Sequence, residues 1–222
     1  MTELLQRIHK PHDCELLLAI PVRREEFLEG LAEESSKDFA KAFRNQLSDI
    51  PNDKLWEDHY RKQAERILQA AHDVERLDCT VKESCTAADM TRALEQHSVV
   101  ALVAHVVNPG LDEKLAPDFD PRSLLTETMV EFSDGLLPGE EFLELIPPTF
   151  HGILDLRTCN SVILGESLKS VRRDFLVIEN VQRLFPVIQL LAFQHTIATL
   201  NVYERGYLQA SQDARMELSI GT

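Results

Sequence analysis

At 222 residues, 44% hydrophobic and 27% charged, the sequence has the make-up of an ordinary globular protein whose core needs no staples. A formal net charge of -14 repels nucleic-acid phosphates and anionic membrane surfaces, so neither a nucleic acid nor a membrane is expected as a partner. The N-terminal MTELLQRIHKPHD has no apolar signal core, no run approaches the ~18 apolar residues of a membrane span, and the scattered cysteines form no CxxC pair. Together these features predict a reducing, cytoplasmic setting with free thiols.

The first apolar run, CELLLAIP (14–21), is closed by Pro21 and predicts a strand. From 23 to 76 the pattern is helical. Phe27, Leu28 and Leu31, then Phe39, Phe43 and Leu47, recur at helical spacing, and LWEDHYRKQAERILQAAHDVERL repeats the pattern after a break at Pro51. DCTVKE (78–83) predicts a short strand, and TAADMTRALEQH a helix with a Thr cap. SVVALVAHVV (98–107) is continuous and β-branched, which suits a strand buried on both faces. NPGLDEKLAPDFDPRS, with three prolines, a glycine and several charges, predicts a surface loop. TMVEFSDG (128–135) predicts a strand ending in a turn, and LPGEEFLELIP a short helix. GILDLRTC predicts a strand, SVILGESLKSVRR a helix and DFLVIEN a strand. From Val181 to about Leu218 the chain reads as largely helical, and its apolar LFPVIQLLAFQHTIATLNVY either closes the core or forms a homodimer surface.

Strands that alternate with helices predict an α/β fold with a mainly parallel sheet and right-handed crossovers. The whole chain, 1-222, is read as one domain with a helical insertion near 23-76 and a C-terminal helical segment near 181-218. In such sheets functional groups gather beyond the carboxyl ends of the strands. His105 stands there after SVVALVA, and Cys159 after GILDLRT. A thiol attacks as the thiolate and needs a neighbour to take its proton, which a histidine on an adjacent strand can do. Cys159 also precedes a predicted helix, whose N-terminus favours negative charge. Singly, Cys159 reads more readily as a buried core thiol and His105 as an ordinary strand-end histidine; the pairing of the two strand ends is what points to a dyad. Alternation along the strand puts Asp155, Arg157 and Cys159 on one face.

Other candidates carry less. His9, His12 and Cys14 are close in sequence but lack a fourth ligand, so no metal is expected. Cys79 and Cys85 read as structural thiols and His195 as a core or interface histidine. Ser161 lacks a G-x-S-x-G elbow, and neither G-x-G-x-x-G nor a Walker A loop occurs, so no nucleotide cofactor is expected.

TAADMTRALEQHSVVALVAHVV is similar to the segment leading to the catalytic His of CHAT domains, in the caspase-like, separase-related clan of cysteine peptidases. In that family a Thr-led helix precedes an apolar strand ending in His. VEFSDGLLPGEEFLELIPPTFHGILDLRTCNSVILGESL resembles the family's next block: a strand with an Asp-Gly turn, a short helix, an apolar strand ending in Cys, then a helix. The resemblance covers about residues 78–180 and extends to the strand at 14–21. It implies a caspase-like α/β/α sandwich with a mainly parallel central sheet. It further implies a cysteine endopeptidase with Cys159 as nucleophile, His105 as general base or orienter, and the backbone N–H groups of Val106 and Cys159 at the oxyanion. A protein substrate, an activating or regulatory protein partner, a role in bacterial defence or death, and no cofactor follow from the same resemblance. The family's position two before the Cys lines the pocket for the residue preceding the scissile bond. Here that position is Arg157, which implies an acidic or polar preference unless Asp155 pairs with it. The family has Gly directly after the His, whereas this chain has Val106. A catalytically inactive caspase-like module that binds or assembles with a partner is therefore the alternative.

Overall fold

The fold is that of a computed structural model, which describes residues 13–32, 35, 39–47, 49–108, 120–159, 161–179, 186–202 and 206–220. After β1 (Cys14–Leu18) come three helices, α1 (Arg24–Gly30), α2 (Phe39–Gln46) and α3 (Arg61–Glu75). Then follow β2 (Thr80–Lys82), α4 (Ala87–Gln96), β3 (Val99–Val103), β4 (His105–Val107), β5 (Met129–Phe132) and β6 (Gly135–Pro138). The chain continues through α5 (Gly139–Glu144), β7 (Ile153–Leu156), α6 (Val162–Val171), β8 (Leu176–Ile178), α7 (Pro186–Val202) and α8 (Tyr207–Ile220). Five strands pair in parallel in the order β2-β1-β3-β7-β8, and a small antiparallel sheet runs β4-β5-β6.

The central strands are mainly apolar, β3 without interruption and β1 and β7 with one acidic residue each, because helices cover both faces of the sheet. Strand alternation divides the core in two. Leu17, Val100, Leu102, Leu154 and Leu156 pack with Met90 and Leu94 of α4, Phe142 of α5 and Leu164 of α6. On the other face Leu16, Leu18, Val99, Val103 and Ile153 pack with Ile67 and Val74 of α3, Phe193 of α7 and Tyr207 of α8. The chain is thus an α/β fold with a mainly parallel sheet, as its alternating pattern predicts. The Thr cap is present too. The Asp89 N–H donates to the Thr86 hydroxyl at 3.1 Å, and the Asp89 carboxylate accepts the Thr86 N–H at 3.0 Å.

Several elements differ from the sequence reading. The strand expected over 98–107 is two strands. β3 ends at Val103, Ala104 intervenes, and His105 opens β4, which pairs with β5 in the second sheet. Both neighbours of β3 end at this level: Leu18 is the last partner from β1 and Leu156 the last from β7. Residues beyond Val103 therefore find hydrogen-bond partners only by joining β5. Gly135–Pro138, expected to hold the end of a turn and the start of a helix, is β6. It is joined to β5 through Ser133 and Asp134, and Gly135 follows with φ 139, a conformation side chains avoid. Pro138 is tolerated because β6 lies at a sheet edge. The end of the proline-rich segment forms a 3-10 helix, Pro121–Glu127, while 109–119 lie outside the described residues.

The helical insertion carries its own small core. A turn at Asn52–Lys54 leads into a π-helical stretch, Leu55–Tyr60, and on into α3. Tyr60 stacks on Phe27 with ring centroids 4.6 Å apart, and Trp56 and Phe39 each meet Tyr60 at 5.6 Å. Among the described residues no helix is long and apolar enough to cross a membrane.

Candidate active site

β3 and β7 are hydrogen-bonded neighbours in register from Val99–Ile153 to Leu102–Leu156. The ladder extends one bond further, with the Arg157 N–H donating to the Leu102 carbonyl at 2.9 Å. His105 follows Leu102 by three residues and Cys159 follows Leu156 by three residues, so both leave the same sheet edge from adjacent strands. Neighbouring strands run about 4.8 Å apart. The topology therefore brings the two expected dyad residues to one place, the carboxyl edge of the parallel sheet.

The turn that carries Cys159 is held from both sides. Thr158 and Ser161 are buried, and the Ser161 hydroxyl donates to the Leu156 carbonyl at 3.1 Å, tying the start of α6 to the end of β7. The Ser161 carbonyl in turn accepts the Gly165 N–H at 2.8 Å as α6 begins. Between buried neighbours, Cys159 keeps partial exposure, whereas the Cys14, Cys79 and Cys85 thiols are buried. Burial pushes the Cys14 and Cys85 thiols well up, and the neighbouring Cys79 adds to the effect at Cys14 as Asp89 does at Cys85. Those two thiols stay protonated and unreactive at neutral pH.

His105 is half-buried at the start of β4, and its ring meets the edge of Phe39 of α2, with centroids 5.5 Å apart and planes at 81°. Val106 sits mid-strand in β4 opposite Val130, and its side chain belongs to the core. Of the other described histidines, His97 precedes β3 at the amino edge, where it meets Asp13 and Glu15 at 3.4 and 3.5 Å. His151 precedes β7 and pairs with Asp174 at 3.1 Å. His195 lies half-buried within α7.

Asp155 and Arg157 do not open onto a cleft. Both side chains are fully buried and bonded to each other at 2.6 Å. They share their face with Ile153, and that face is covered by α7 and α8. The Tyr207 hydroxyl donates to Asp155 at 2.8 Å, while Arg157 donates to Ser211 at 3.0 Å and lies 5.9 Å from the Phe193 ring centre. Burial opposes the guanidinium charge, but the adjacent Asp155 outweighs it and holds Arg157 above its ordinary value. Of the two expectations for Arg157, a pocket wall or a partner of Asp155, the structure shows the partner. The expected strand-long alignment with Cys159 also lapses, because β7 stops at Leu156 and the chain turns at Thr158.

Two further residues adjoin His105 without any motif to mark them, Glu131 and Phe39. Glu131 is only 2% exposed, lies directly opposite His105 in the β4–β5 pair, and accepts the Phe39 N–H at 2.6 Å. A signal was available: a lone carboxylate inside the apolar strand MVEF is costly to bury unless something uses it. Among the described residues no group of three or more His, Cys, Asp or Glu side chains converges as metal ligands would. His9 and His12 lie outside the described residues, and Cys14 is buried in β1. Two shallow hollows, around Glu75 to Val81 and around Gln69 to Arg76, lie by the start of β2 and along α3, away from Cys159. No protein-family model matches the chain, and no curated protein matches it in sequence.

Proposed function

We propose that the chain is a cysteine endopeptidase of the CHAT, caspase-like type, with Cys159 as nucleophile and His105 as its base. The observation that carries this reading is a partly exposed thiol and an imidazole that each follow, within three residues, the carboxyl end of one of two adjacent parallel strands. The order of the elements supports it as well: a Thr-led helix, a strand leading to His, then a strand with an Asp-Gly turn, a short helix, a strand leading to Cys and a helix.

In this mechanism His105 takes the Cys159 proton and the thiolate attacks a peptide carbonyl of a protein substrate. The N–H groups of Val106 and Cys159 stabilise the oxyanion, and the N-terminus of α6 favours the thiolate charge. The imidazolium returns its proton to the departing amine. Water, deprotonated by His105, then cleaves the thioester and regenerates the thiol. An activating protein partner and a role in bacterial defence or death belong to the same proposal, as does a cytoplasmic location.

The test is incubation of the protein with a proteome and mass-spectrometric detection of new N-termini. Cys159→Ala and His105→Ala are each expected to lower their yield by about a thousandfold or more, the scale seen when one member of a catalytic unit is removed. Undiminished cleavage by either variant would sink the dyad.

Val106 favours a second reading. Its side chain is 3% exposed in the core, and a valine lacks the backbone freedom of the glycine usual at this position in the resembling family. A catalytically silent module that binds a protein partner, or a second copy of itself, would keep this fold and lose only the chemistry.

A further inference from the structure

A histidine that accepts a proton through one ring nitrogen works best when the other ring N–H is held by an acceptor. In β5 a carboxylate stands where it can do this. Glu131 is directly opposite His105 in the antiparallel β4–β5 register. Opposed residues of such a pair project from one face with Cβ atoms about 4.5–5.5 Å apart, within reach of a glutamate and an imidazole. The carboxylate is also anchored. It accepts the first N–H of α2, from Phe39, at 2.6 Å, and the positive end of that eight-residue helix favours its charge. Phe39 then lays its ring edge-on to His105 at 5.5 Å. One glutamate thus faces the imidazole across the ladder and fixes the aromatic wall beside it.

The neighbouring polar groups are engaged elsewhere. Tyr60 lies nearby, its phenol pushed up by burial and then by the charges of Glu131 and Glu26, but its hydroxyl donates to the Pro21 carbonyl at 2.8 Å. Glu26 is engaged with Ser84 and with the Val22 N–H at 3.1 Å. Glu131 lies with Glu26, Ser84 and Ala19 along a small crevice beyond the end of β1. A buried carboxylate inside an apolar strand is expensive to retain, and this one is spent on a backbone N–H and a facing imidazole.

We propose that Glu131 is a positioning residue for His105: its carboxylate accepts the ring N–H that points away from Cys159, fixes the tautomer and stabilises the imidazolium formed when the thiol gives up its proton. The proposal rests on the dyad reading above, but its test does not need peptidase activity. Nitrogen NMR of the histidine rings reads the His105 tautomer directly, and alkylation of Cys159 by iodoacetamide at neutral pH reads thiolate formation. In Glu131→Gln the side-chain volume is kept and the amide oxygen can still accept the Phe39 N–H. That variant is expected to mix the His105 tautomers, shift its hydrogen-bonded ring proton upfield, and slow Cys159 alkylation about tenfold, part of the 10²–10⁴ that a well-placed base supplies. Glu131→Asp keeps the charge at shorter reach and is expected to fall between the two, which also covers a Gln variant that folds poorly. An unchanged tautomer and ring-proton shift in the folded variants would overturn the proposal, even if alkylation slowed. Alkylation that ignores His105→Ala, beside a tautomer that still responds to Glu131→Gln, would instead refute the dyad and leave the Glu131–His105 coupling standing.

Discussion

Arg157 keeps its charge at the centre of the molecule, and everything that surrounds it follows from that cost. Its guanidinium meets the Asp155 carboxylate at 2.6 Å and the Ser211 hydroxyl at 3.0 Å, yet Nε and Nη1 have no hydrogen-bond partner among the described residues. Removing the Asp155 counter-charge would strand a buried cation. Asp155→Asn is therefore expected to destabilise the fold by about 3–5 kcal/mol, while the paired change Asp155→Leu with Arg157→Met costs far less. Urea unfolding measures both. An Asn variant as stable as the parent would contradict this account of the pair. The partnership was legible in ILDLR, where alternation puts residues 155 and 157 on one face. Its cover was not, because Ser211 and Tyr207 lie 54 and 52 residues further along the chain from the groups they meet.

Among the elements, the β3–β7 pair matters most, since its register brings the segments that carry His105 and Cys159 off the same sheet edge. The register begins with the Ile153 N–H donating to the Ser98 carbonyl at 2.7 Å. That approach requires Gly152: a Cβ there would lie 2.1 Å from the same Ser98 oxygen. Gly152→Ala is expected to destabilise the protein by about 1–3 kcal/mol through this clash, lowering the melting temperature. An unchanged melting temperature would show that β7 can shift without cost. Element type was readable where one periodicity ran unbroken, as in β1, α4 and β7. It failed where a strand changed sheets. SVVALVAHVV has uniform composition across Ala104, so only the lengths of its neighbours reveal that His105 belongs to β4. For the same reason Glu131 was missed. Its role depends on which strand lies opposite, and local pattern carries no information about that.

For the molecule as a whole, the alternating elements sufficed to give the α/β class, and two apolar faces on one parallel sheet account for it. The excess of Asp and Glu over Lys and Arg, 37 against 23, left the partner class open apart from disfavouring polyanions. The fold also brings together residues far apart in sequence: Phe39 meets His105 and Glu131, which oppose each other in β4 and β5, and Cys159 leaves the strand next to β3 at the same sheet edge. Burial also separates the thiols, with Cys14, Cys79 and Cys85 enclosed and Cys159 partly open. The most direct measurement is therefore the iodoacetamide rate at each cysteine near pH 7, resolved by peptide mass spectrometry in the parent and in His105→Ala. The account predicts that Cys159 reacts at least about tenfold faster than the other three, and that His105→Ala removes most of that advantage. Equal rates at all four cysteines, unaffected by His105→Ala, would contradict it.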